Sequence, residues 1–141
     1  MKPGPRRVLG IDYGERRIGL ALSDPLGLTA QPLETLPNRE SKTLAALAEL
    51  AREREVGLFV IGLPRHMSGE EGIKAAEARD FGARLGEITG LPVEFVDERL
   101  TTIAVQRMLS ETAMSGAKKR AVTDKLAAAL ILQTWLDRKR K

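Results

Sequence analysis

The chain has 141 residues, 43% hydrophobic and 30% charged, with a formal net charge of +4. That length predicts one domain over residues 1–141, large enough to hold a core without covalent staples. No cysteine and a single histidine exclude disulfides, thiolate metal sites, cysteine nucleophiles and histidine-rich metal sites.

The N-terminus has charge but no apolar h-region, and the longest apolar run, Leu126 to Leu132, is far short of the ~20 residues of a membrane span. A soluble, cytoplasmic protein without a membrane partner is expected. The charge is segregated. Residues 117–141 carry eight basic and two acidic groups, and the first seven carry three basic groups and no acid. Basic ends on an acidic body suit a polyanion partner, because binding a nucleic-acid backbone releases counterions. Arg138 to Lys141 can also be read as a cationic helix end favoured by the dipole.

Val8 to Asp12 reads as a short buried strand ending in a carboxylate, and Ile18 to Ser23 as a second one after a turn at Tyr13 to Arg17. The short linker favours a hairpin, since a parallel crossover needs a dozen residues or more. Thr29 to Leu36 fits a third strand of the edge type, which tolerates Pro32. Ser41 is a candidate N-cap for a helix through about Glu55, with Leu44, Leu47, Leu50 and Ala51 on one stripe.

Leu58 to Gly62 is a continuous apolar run, as in a strand covered on both faces. A helix from about Glu70 to Thr89 closes at Gly90, and Val93 to Val96 is a fifth strand leading into Asp97-Glu98. Thr101 or Thr102 can cap a helix to about Glu111, followed by a loop from Met114 to Lys119 and a last helix from about Ala121 to Arg138. The order β-β-β-α-β-α-β-α-α predicts an α/β fold with a mixed five-stranded sheet and helices on both faces.

Three acidic positions lie where a site can form: Asp12 ending the first strand, Asp97 and Glu98 ending the last, and Asp124 near the start of the final helix. If the first and last strands run parallel, their acids emerge at one edge, where ligands of such sheets gather. Hard carboxylate oxygens without nearby histidine suit Mg²⁺ or Mn²⁺. Two such ions can activate water and stabilise a leaving oxygen in phosphodiester cleavage, with no protein nucleophile. Each acid alone also reads as an ordinary turn or first-turn residue. His66 reads as a loop residue or phosphate contact, Met67 as packing, and Arg16 and Arg17 as either a solvated turn or a phosphate grip. The first hairpin resembles the phosphate-binding hairpin of sugar kinases and actin-like ATPases in architecture. There is no Walker A motif to support a nucleotide role.

Together these motifs resemble the YqgF/RuvX family, the Holliday-junction resolvase-like nucleases linked to maturation of small-subunit ribosomal RNA. The matching stretches are Gly10-Ile11-Asp12-Tyr13-Gly14, Arg17-Ile18-Gly19, Ser23-Asp24 and Gly62-Leu63-Pro64 with Met67, Gly69, Gly72 and Phe81. Asp97 to Thr102 and Asp124 to Ala128 with Ile131-Leu132-Gln133 complete the set, and Gly82 stands where the family leads one to expect alanine.

The resemblance implies a ribonuclease H-like fold and metal-dependent cleavage of pre-16S ribosomal RNA. It implies Asp12, Glu98 and Asp124 as catalytic and metal-holding residues, with Asp97 as the alternative to Glu98. Arg16, Arg17, Arg65, Arg99, Lys118, Lys119 and Arg120 are the expected nucleic-acid contacts, and precursors of the ribosomal subunit the expected partners. Two alternatives stand beside it: a resolvase of branched DNA acting as a homodimer, and a non-catalytic RNA-binding assembly factor. The chain is expected to be a monomer or a homodimer, and the resolvase reading requires the dimer.

Overall fold

A computed structural model of the chain describes residues 6–66, 68–101 and 116–140, the side chains of 117–119 excepted. Strands β1 (Arg7–Tyr13), β2 (Arg17–Ser23) and β3 (Ala30–Pro37) precede helix α1 (Ser41–Glu53). Then follow β4 (Val56–Leu63), α2 (Ile73–Thr89), β5 (Val93–Asp97), a 3₁₀ turn (Glu98–Leu100) and α3 (Ala117–Lys139). The helix expected over 101–111 falls almost entirely outside the described residues, and so does Met67.

The five strands form one sheet in the order β3-β2-β1-β4-β5. β1 is antiparallel to β2, and β2 to β3, while β4 is parallel to both β1 and β5. The expected mixed sheet is therefore the observed one, and β1 and β5 point the same way. β3 is an edge strand, as Pro32 requires, and its ladder with β2 shifts by one residue between Leu20↔Glu34 and Ala21↔Pro32.

Alternation along the strands decides which side chains meet which helix. Leu9, Ile11, Ile18, Leu20, Phe59 and Ile61 pack with Leu44 and Leu47 of α1 and with Ala78, Phe81 and Leu85 of α2. On the other face, Ala21, Val60 and Val96 pack with Ala127, Ala128, Ile131 and Leu132 of α3. Among the described residues, two helices thus cover one face and α3 the other.

Three element starts differ from expectation. Ser41 is the first residue of α1 rather than its cap; the cap is Glu40, at φ 53°, with no side-chain cap bond. Thr43 Oγ1 braces this entry instead, accepting from the Arg39 amide and donating to the Pro37 carbonyl. α2 starts at Ile73, not Glu70, because Gly69 takes a positive φ and Glu71 is drawn into ion pairs with Arg65 and Arg79. α3 begins at Ala117, four residues earlier than expected, capped by Gly116. Gly90 ends α2 in the left-handed region, as expected.

Candidate functional site

Asp12 lies one residue before the end of β1 and alternates with Gly10, so it faces α3 rather than the α1–α2 side. It is one of few buried polar side chains, at 6% exposure. Leu63 pairs with Asp97 in the parallel β4–β5 ladder, so Glu98 leaves the sheet at the same edge that ends β1. Gly62 makes room for Glu98: a Cβ there would sit 3.2 Å from Glu98 Cγ and 2.4 Å from Ile131 Cδ1.

Asp124 is brought in by the helix. α3 lies directly on β2, because a Cβ at Gly19 would come within 2.0 Å of the Asp124 carbonyl oxygen. Thr35 Oγ1 donates to the Ala121 carbonyl and Gln133 Oε1 accepts from the Ala30 amide, which pins α3 to β3 along its length. Gly10 serves the same contact further along, under Ala128 and Leu132. Three glycines on three strands thus form a bare floor for α3.

The three acids line one cleft of about 630 Å³ at the C-terminal edge of β1, β4 and β5. Arg16, Arg17 and Glu15 of the β1–β2 turn line it too, and α2 contributes Ile73, Lys74 and Glu77. These α2 residues were not singled out from the sequence. Their i, i+1, i+4 placement at the start of a helix is the signal that could have marked an exposed face.

Arg17 Nε donates to Asp124 Oδ2 at 2.6 Å, with the aspartate side chain 13% exposed. Among the described residues, no three His, Cys, Asp or Glu side chains are close enough to hold one metal ion together. The donors suit a hard divalent cation in kind, but Arg17 engages one oxygen of Asp124.

Asp97 and Glu98 part company. Asp97 accepts from the Arg99 amide, Nε and Nη2, the last at 2.6 Å, and lies 3.9 Å from Arg65 Nε. The Arg99 guanidinium, more than any other group, holds the Asp97 carboxyl below its usual range. Its side chain lines a neighbouring groove with Arg65, whereas Glu98 lines the cleft.

The expected phosphate contacts are therefore divided. Arg16 and Arg17 belong to the cleft, Arg65 to the groove, and Arg99 to Asp97. Arg120 is exposed in the first turn of α3, and the side chains of Lys118 and Lys119 lie outside the described residues. His66 is exposed in its loop, its amide donating to the Glu70 carbonyl and its ring beside Gly72.

This sheet order, with helices on both faces, is a ribonuclease H-like fold. The same fold occurs in Thermus thermophilus RuvC in complex with a Holliday junction substrate, at a TM-score of 0.60 and 18% identity over 96% of this chain and 97% of that one. A second T. thermophilus RuvC structure matches at a TM-score of 0.56 and 14% identity, over 95% and 96% of the two chains. The sequence matches the family described as RuvX, Holliday junction resolvase, over residues 6–138, and the chain belongs to that family.

A Streptococcus sanguinis protein named "Putative pre-16S rRNA nuclease" is 49% identical over 136 residues, covering 94% of this chain and 98% of its own. A Symbiobacterium thermophilum protein of the same name is 51% identical over 132 residues, covering 93% and 92%. The family expected from the motifs is the family found. No helix among the described residues is long and apolar enough to cross a membrane.

Proposed function

We propose that this chain is a divalent-metal-dependent nuclease that hydrolyses phosphodiester bonds of pre-16S ribosomal RNA. The observation that carries this reading is that Asp12, Glu98 and Asp124, from three separate elements, line one cleft. Sequence neighbours named for pre-16S rRNA cleavage, matched over nearly their full lengths, favour that substrate. Precursors of the small ribosomal subunit are the corresponding partners, and a cytoplasmic location follows from them.

Asp12, Glu98 and Asp124 would hold Mg²⁺ or Mn²⁺, Asp124 in competition with Arg17, and Asp97 would not, since it lines the neighbouring groove rather than the cleft. When bound, such ions supply an activated water and charge stabilisation at the leaving oxygen. Burial of Asp12 fixes its carboxylate against the sheet, and Gly62 lets Glu98 lie across β4 toward it. Arg16 and Arg17 stand at the cleft wall, where their guanidinium groups can orient a phosphate.

The deciding experiment is cleavage of labelled precursor ribosomal RNA beside a four-way DNA junction, with Mn²⁺, Mg²⁺ or EDTA. Metal-dependent RNA products, lost in Asp12→Asn, are expected. Paired symmetric cuts in the junction by a dimeric protein would instead favour the resolvase reading that the family description carries. RNA binding without products, indifferent to metal and to Asp12→Asn, would leave an assembly factor.

A further inference from the structure

The second groove, of about 570 Å³, follows β5, an edge strand of the sheet among the described residues, between α2 and α3. We infer that it is a nucleic-acid site of its own, taking the single-stranded segment of RNA that flanks the phosphate held in the cleft. This rests on reading the cleft as the cutting site.

Charge separates the two concavities. The cleft sets five carboxylates (Asp12, Glu15, Glu77, Glu98 and Asp124) against three cations. The groove sets four cations, Arg65, Arg79, Arg138 and Lys139, against Glu94 and Asp97. Without bound cations the first repels a polyanion, while the second attracts one, so the groove is placed to supply affinity for the chain flanking the cut.

The two are also contiguous. Leu63, Arg65 and Asp97 line the groove, while Pro64 and Glu98 line the cleft, so the ends of β4 and β5 form a shared rim. Arg65 stands at that rim, and its Nε is buried without a hydrogen-bond acceptor among the described residues. A phosphate crossing the rim offers this guanidinium a partner that Glu71 and Asp97, at 3.2 and 3.9 Å, leave incomplete.

The groove carries rings as well as charge. Phe95 and Trp135 line it, with Arg79 5.1 Å and Lys139 5.3 Å from the respective ring centres. Arg79 is fixed by Glu71, and Trp135 by its indole N–H donating to Glu94 at 3.0 Å. Unpaired bases stack on aromatic and guanidinium faces while their phosphates run along cations, the combination found here. Five residues of β5 at ~3.3 Å each make about 16 Å of groove, room for a few nucleotides. A peptide pairing with β5 is the competing occupant, but the excess of cations favours an anion.

Trp135 is the sole tryptophan, so its fluorescence reports occupancy of the groove directly. The full chain in EDTA is titrated with uridine oligonucleotides of four and twelve residues, as wild type and as R138E/K139E, both exposed positions. The twelve-mer is expected to quench Trp135 and to bind about tenfold tighter than the four-mer. The variant should lose that gain, with its salt slope lower by about 1.4, for two phosphate contacts of a single strand.

Absent quenching, or a length gain that survives in the variant, overturns the groove site. If the variant does not fold, the wild-type quench and its length dependence decide alone. Metal-dependent cleavage without a length gain sinks the groove and leaves the nuclease reading standing. A length gain and quench without cleavage on any substrate would do the reverse, leaving an RNA site beside a cleft that does not cut.

Discussion

Arg17 at the start of β2 holds Asp124 in the second turn of α3 through a 2.6 Å bond, across 107 residues of chain. The pair closes the cleft electrostatically. On the proposed reading, a cation bound among the carboxylates would compete with the guanidinium for Asp124, and an Arg17 released from it would be placed for a phosphate. One side chain would thereby serve two anions in turn.

Arg17→Met removes this competitor without removing a carboxylate. Two unit charges ~5 Å apart interact by about 1–3 kcal/mol at effective dielectric constants between those of water and a protein surface. Mn²⁺ binding, followed by the paramagnetic signal of the free ion, is therefore expected to tighten several-fold. RNA affinity and turnover should fall in the same variant. Unchanged or weaker Mn²⁺ binding would show that the pair only anchors α3.

Gly19 and Gly86 form a contrasting pair. A Cβ at Gly19 meets the Asp124 carbonyl oxygen at 2.0 Å, so alanine must push the α3 backbone off the sheet. Gly19→Ala is expected to cost about 1–3 kcal/mol, as overpacking does, and to weaken metal binding by displacing Asp124. At Gly86, inside α2, the nearest contacts are an ordinary 3.4 and 3.5 Å. Alanine there should stabilise by about 0.5–1 kcal/mol through the helix term. Urea unfolding of the two variants checks both signs.

The sheet was legible because each strand announces its face. The Leu9, Ile11 series and the Gly10, Asp12 series alternate along β1, and the linker lengths separate hairpin from crossover. The meeting of β1 and β5 at one edge followed from the parallel pairing, and with it the shared position of Asp12 and Glu98. The Arg17–Asp124 bond was not legible, since nothing local to either residue names a partner 107 positions away. Nor could adjacency decide between Asp97 and Glu98. A 3₁₀ turn beginning at Glu98 sends neighbouring carboxylates to opposite sides of the rim, and Arg99 claims the first. The division of the arginines between cleft and groove depends on that same rim.

Glu98→Gln and Asp97→Asn should therefore behave differently despite being neighbours. Glu98→Gln keeps the shape and removes a charge from the cleft, so Mn²⁺ affinity is expected to drop at least tenfold, with turnover falling further. Asp97→Asn leaves the cleft lining intact and should bind Mn²⁺ within about threefold of wild type. Calorimetric titration of both, after their folds are checked by circular dichroism, separates the assignments; equal losses would make the two acids joint ligands.

The same aspartate gives the protein a defined acid response. Hydrogen bonds from Arg99, opposed by partial burial, hold Asp97 below its ordinary value of 3.8, and Arg79 does the same for Glu71, below 4.5. A carboxylate with a depressed folded value contributes stability that is complete above its unfolded value and is lost as pH falls through the folded one. Wild type should then melt above Asp97→Asn and Glu71→Gln by a constant margin from pH 8 to 5. The margin should shrink below about pH 4 and vanish once both carboxyls are protonated. High salt should narrow the margin at pH 7, since these pairs are largely solvent-exposed and screened. A margin that persists undiminished in acid would mean that the side chains stabilise by packing, with the arginine pairs contributing nothing.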